Sequence, residues 1–163
     1  MAVDGEVHQM NDEDWKIACH EAGHAVFAIT QRMREMWVEW AKVGENEYGE
    51  IQLVATPHDS PDDDWTANQL VRYQLYYAAG AAAEQHLFQQ HRLHAIVCDF
   101  KLHKELESLL KRNRPTGFDD DIEAAMQSLD PDSVRTVAQN LFESKLLTGE
   151  QVAGLIGVTP PWK

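Results

Sequence analysis

The chain is poor in cysteine, in cationic side chains and in long apolar runs. Two cysteines in 163 residues, Cys19 and Cys98, provide no disulfide framework. Lys and Arg number 14 against 27 Asp and Glu, a net charge of −13. That shortage of cations argues against nucleic acid and against an anionic membrane as partner. No run approaches the roughly 18 apolar residues of a membrane-spanning helix. The opening Met1-Ala2-Val3-Asp4-Gly5-Glu6 is polar and acidic, unlike a signal peptide. No Gly-x-x-x-x-Gly-Lys-Ser/Thr phosphate loop occurs. These absences lead to the expectation of a cytoplasmic protein with a single domain over residues 1–163 and a disordered stretch at 1–10. Both cysteines read as small buried apolar residues.

What is present is a short motif, His20-Glu21-Ala22-Gly23-His24. Two histidines four apart on a helix stand one turn above each other on the same face. Both imidazoles can then reach one metal ion, at about 2.0–2.1 Å if it is zinc. Glu21 between them lies beside the metal, where it can take a proton from a bound water. That is the H-E-x-x-H arrangement of metalloproteases. The flanks agree with a helix. Asn11-Asp12-Glu13-Asp14 supplies an N-cap and an acidic first turn. Ile17, Ala18, Ala22, Ala25, Ile29, Met33 and Met36 then recur at three- and four-residue steps. Gly23 costs about 1 kcal/mol relative to alanine, which calls for a reason such as close packing or substrate approach beside the metal.

Around the motif the chain reads as an array of about six helices with one small two-stranded β-ribbon, mainly α in class. The first helix is expected over residues 12–36. Val38, Trp40, Val43, Ile51, Leu53 and Val54 favour strands, with a turn at 44–49 between them. Pro57 to Asp64 is an acidic loop, read as a cap on the next helix, which starts near Asp63 and runs through Leu87. Its alanines allow another helix to approach closely. Further helices are expected at about 95–112, 119–129 and 131–146, the last with Asp130 as cap and Pro131 at its first position. Thr148 and Gln151 form a capping box for a final helix at 149–156.

Catalytic zinc commonly takes three protein ligands and a water. Asp99, His103, Glu84, His86, His91, His94 and His58 are candidates for the third place. His91 and His94 are three apart, and Asp99 and His103 four apart, so either pair can share a helix face. Spacing alone does not choose among them.

The segment His20-Glu21-Ala22-Gly23-His24-Ala25-Val26 resembles the protease domain of the FtsH-type ATP-dependent zinc metalloproteases. Val38 to Val54 is similar to that family's ribbon after the active-site helix. Ala79-Gly80-Ala81-Ala82-Ala83-Glu84 resembles its Gly-Arg-Ala-Ala-Glu segment, with Ala81 in place of the Arg and Gln85 in place of a second Glu. Cys98-Asp99-Phe100 falls where the family has Asn-Asp-Leu, whose aspartate is the third zinc ligand, although Ala95-Ile96-Val97-Cys98 replaces the family's Gly-Ala-Ser-Asn run. Leu147-Thr148-Gly149-Glu150-Gln151-Val152 is similar to its closing turn and helix. The resemblance spans residues 15–157.

It implies Zn2+ held by His20, His24 and Asp99, with Glu21 as general base and Glu84 as an acceptor that orients a ligating imidazole. It also implies cleavage of peptides or unfolded chains. In the ribbon, Glu50, Ile51, Gln52 and Leu53 can pair with an extended substrate by strand addition or form a plain structural hairpin. The family's ATPase and membrane anchor have no counterpart in these residues. A homo-oligomer and an ATPase acting in trans are both compatible with that reading. The alternatives are a regulatory or interaction module that keeps the fold, with or without the metal, and is catalytically weak or inactive, and a different metal-dependent hydrolase.

Overall fold

A computed structural model describes residues 12–44, 49–113 and 115–162. The expected disordered stretch 1–10, the cap at Asn11 and residues 45–48 of the turn at 44–49 lie outside the described residues. Within them the chain is mainly helical, with α1 Asp12–Thr30, β1 Val38–Val43, β2 Gly49–Leu53, α2 Ala67–Phe88 and α3 Leu93–Leu110. Then follow α4 Phe118–Ser128, α5 Pro131–Ser144, β3 Leu146–Thr148 and α6 Gly149–Ile156. No helix among the described residues is long and apolar enough to cross a membrane.

Helix α1 runs through the middle of the molecule. It packs on α2, α5, α6 and the sheet. The periodicity predicts one apolar face. Instead Ile17 to Ile29 are all buried except Glu21, as for a helix enclosed on every side. The helix ends at Thr30, well short of residue 36. Gln31 and Arg32 donate to Ala28 and Ile29 in a tightened turn, and Arg32 takes a positive φ of 53°. That reversal brings Met36 and Trp37 back into the core.

The sheet differs from the expected ribbon. It has three antiparallel strands in the order β2-β1-β3, so β1 is central. Ala41 pairs with Ile51 on one side and with Leu147 on the other. A three-residue strand carries too little alternation to be read from sequence. Leu147 is buried against the core while Leu146 and Thr148 are exposed, the period-two signature that only the paired register reveals.

Helix α2 is capped by Thr66, whose hydroxyl accepts from the Gln69 backbone N–H while the Gln69 side-chain Oε1 accepts from the Thr66 N–H. The acidic residues 62–64 therefore precede the helix as an exposed loop rather than opening it. The alanines allow the expected close approach. A Cβ on Gly23 would stand 2.5 Å from the Ala83 Cβ and 2.6 Å from the Ala79 carbonyl oxygen, so α1 and α2 touch backbone to backbone there. Helix α3 begins two residues earlier and ends two residues earlier than the expected 95–112, and α5 closes at Ser144 rather than 146. Asp130 caps α5 by accepting from the Ser133 N–H, with Pro131 following it. The Thr148–Gln151 capping box opens α6 at the expected place.

Candidate metal centre

Both histidines of the motif project from α1 toward α2, and each is only 4 % exposed. Their Nδ1 atoms are committed. His24 Nδ1 lies 2.7 Å from the Tyr76 carbonyl oxygen, which can only accept, so that nitrogen carries the proton. His20 Nδ1 lies 2.8 Å from Glu84 Oε2. Glu84 is buried, and burial opposes its charge. The hydrogen bonds from His20 and Arg92 prevail and hold its carboxyl below the ordinary range. His20 Nδ1 therefore donates to a carboxylate.

With both Nδ1 atoms occupied as donors, each neutral ring presents an Nε2 lone pair. These two atoms are 3.1 Å apart. Asp99 arrives from α3 with Oδ2 at 3.0 Å from each. Three lone-pair atoms thus form a nearly equilateral triangle. Such atoms repel unless a cation stands among them. Ligands at 2.0–2.1 Å in a tetrahedron are about 3.3 Å apart, close to the spacing here. A proton is the minimal cation. Burial disfavours charge on His20, but the bonds to Asp99 and Glu84 outweigh it and push His20 up to about 10. Burial likewise would raise Asp99, and the neighbouring imidazoles instead hold it far below the carboxylate range.

Glu21 is half-buried beside the pair. Burial raises it above an ordinary glutamate, and His20 and His24 offset part of that rise. His20, Glu21 and His24 each bring a ligand atom within 4.8 Å of the others, a group that can hold a metal ion. Two glycines make the room. A Cβ on Gly80 would stand 2.5 Å from Nε2 of both His20 and His24. A Cβ on Gly49, the first residue of β2, would stand 2.6 Å from Cγ of Glu21. The space facing the nitrogens is therefore a cradle that any side chain would fill.

The remaining candidates are elsewhere engaged. His103, one turn after Asp99, bonds through Nε2 to Asp121 Oδ2 at 2.5 Å and is buried there. His86 meets the Met126 carbonyl, His91 meets Gln85, and His58 pairs with Glu105 at the surface. The side chain of His94 lies outside the described residues. Cys19 is fully buried as expected, and burial pushes its thiol up to about 12. Cys98 is exposed, contrary to expectation. On a helix its neighbour Asp99 turns inward, which leaves Cys98 facing solvent.

Glu50 to Leu53 lie in β2, the edge strand, which starts against Glu21. No described strand pairs with its outer side. Leu53 itself is buried in the core. Beyond β2, Pro57, Pro61, Tyr77, Leu102 and Leu106 line a cavity of about 170 Å³ along α3. Two features of the centre were not found by sequence reasoning. Gly80 stood only within a run of resemblance. Arg92, which donates from Nε to Glu84 Oε1 at 2.6 Å, was not singled out at all. No protein-family model matches the chain, and no curated protein matches it.

Proposed function

We propose that this chain is a zinc-dependent endopeptidase of the FtsH protease-domain kind, hydrolysing peptide bonds in peptides or unfolded chains. The observation that carries the reading is the convergence of His20 Nε2, His24 Nε2 and Asp99 Oδ2 on one another at 3.0–3.1 Å, with a half-buried carboxylate alongside. Two imidazoles and one carboxylate, with a fourth place open, form a donor set of the catalytic zinc type. A purely structural site has no use for Glu21.

His20, His24 and Asp99 would hold the ion, and Glu84 and the Tyr76 carbonyl fix the two rings through their Nδ1–H bonds. A bound zinc ion supplies acidification of a water toward neutral pKa and polarisation of the scissile carbonyl. Glu21 takes the proton of the attacking water on its carboxylate and delivers it to the leaving amine. Burial raises its proton affinity above that of an ordinary glutamate, the direction a proton-carrying base needs. The open edge of β2 pairs with the backbone of an extended substrate and presents it to Glu21.

The test is zinc analysis of purified protein together with cleavage of casein or unstructured peptides. Near-stoichiometric zinc, and cleavage abolished by a chelator and restored by zinc, is the expected result. Bound zinc without cleavage of any peptide overturns the enzyme reading in favour of a metal-holding interaction module.

A further inference from the structure

Helix α3 carries Asp99 and meets the core along one side, through Ile96, Leu102, Leu106 and Leu110. Of its side chains with described burial, His103 and Leu106 are fully buried, while Val97, Phe100 and Leu109 are exposed. Apolar packing of that side fixes the helix against its neighbours, and polar contacts add to it. One polar contact, at the helix start, leads straight to an imidazole of the centre.

Arg92 occupies the N-cap position of α3, immediately before Leu93. Its Nε donates to Glu84 Oε1 at 2.6 Å, and its NH1 reaches Glu13 Oε2 at 3.3 Å. Glu84 is 1 % exposed, and its other oxygen, Oε2, accepts from His20. One guanidinium thus joins the beginning of α3 to α2 and α1. Both oxygens of Glu84 are used, one by the imidazole and one by the arginine. A planar fork with fixed donor directions fits this bridging task better than a point charge.

We propose that Arg92 is the positioning residue of the centre. It orients Glu84 against His20 and sets the start of α3 so that Asp99 meets the imidazole pair. The inference rests on the metal-site reading above, for which it supplies the part that brings the third carboxylate into place.

The experiment measures Zn2+ affinity by competition with a chromophoric chelator, and the visible spectrum of the Co2+-loaded protein. The chains compared are the parent, Arg92→Met, Arg92→Lys, Glu13→Gln and Glu84→Gln, with the Arg92→Met/Glu84→Gln double variant. Arg92→Met is expected to weaken Zn2+ binding by about 10- to 100-fold, the usual effect of losing a partner behind a ligand. Its Co2+ bands should shift. Arg92→Lys should fall between it and the parent, and Glu13→Gln, which keeps the Arg92–Glu84 contact, should lose less than Arg92→Met. Because Arg92 acts through Glu84, the double variant should lose less than the product of the two single losses.

A parent that binds Zn2+ while both Arg92 variants bind it equally overturns this inference alone. Fully multiplicative losses in the double variant do the same. A parent that takes up no divalent metal overturns the peptidase reading, and this inference falls with it. If Arg92→Met does not fold, the decision passes to Arg92→Lys, where an unchanged affinity is the overturning result.

Discussion

Gly80 lies so close to His24 that a Cβ on it would stand 2.5 Å from the ring's Nε2. The same atom would stand 2.5 Å from Nε2 of His20. Gly80→Ala therefore inserts a methyl group where the two nitrogens converge. Either the rings turn away or α2 retreats from α1, and the second is resisted by the contact of Gly23 with Ala79 and Ala83. The expected outcome is loss of stoichiometric zinc, together with an overpacking cost of about 1–3 kcal/mol. Elemental analysis and thermal unfolding check the two effects. Full zinc occupancy in this variant contradicts the cradle.

Glu21→Gln removes the base and leaves an amide of nearly the same shape. Zinc content is expected to stay at the parent level, because the triangle of His20, His24 and Asp99 is untouched. Peptide hydrolysis is expected to fall by at least about 100-fold, the low end for a general base. A variant that cleaves at the parent rate removes Glu21 from the mechanism.

The contrast between Asp99 and His103 tests which residue of α3 serves the metal. Asp99→Ala should weaken zinc binding by more than about 100-fold, beyond the loss expected for an orienting partner. His103→Ala leaves Asp121 buried with only the Thr116 hydroxyl as a described partner. It should cost about 3 kcal/mol of stability or more, while zinc affinity changes less than about tenfold. The reverse order of affinities, measured by chelator competition, transfers the metal role to His103.

These comparisons show how far the sequence could be read. The histidine pair was legible because a four-residue step on a helix is a local geometric fact. Asp99 follows His20 by 79 residues, and no local rule reaches that far, so only resemblance pointed to it. Spacing offered His103 equally, and a buried contact with Asp121 on another helix decided against it. The capping residues Thr148 and Asp130 were legible because a cap bonds within three residues of itself. The third strand was not, since Leu146–Thr148 becomes a strand only by lying beside β1. Arg92 escaped for the same reason, as its meaning comes from Glu84 and Glu13 on two other helices.

Gly49→Ala separates the base from the metal. A Cβ there would press on Glu21 at 2.6 Å from Cγ and 3.0 Å from Cδ and on Ile17 Cγ2 at 2.9 Å, its three nearest atoms. Zinc affinity should be unchanged and kcat should fall by about 10- to 100-fold, because displacement of a reacting group by about 1 Å is costly. The Gly49 substitution also lies at the head of the edge strand, so KM for long peptides should rise more than KM for short ones. Reduced zinc content with normal kcat per bound zinc would contradict the placement of Glu21 against β2.

The last prediction concerns the proton that competes with the metal. In the metal-free protein Asp99 and Glu84 raise His20 from 6.5 to about 10. Zinc must therefore displace a proton at neutral pH, and about one should be released per ion bound. Binding should tighten as pH rises toward 10, by up to about tenfold per unit, and level off beyond it. Stability runs the other way without metal. A pKa raised on folding contributes fully below 6.5 and is lost as pH climbs through about 10. The metal-free protein should thus lose stability across that window, while the zinc-loaded protein, with no proton on His20 to lose, should not. Calorimetric titration in two buffers of different ionisation enthalpy measures the released proton. A binding enthalpy independent of buffer, with equal pH profiles of unfolding for the two forms, contradicts a shared place for proton and metal.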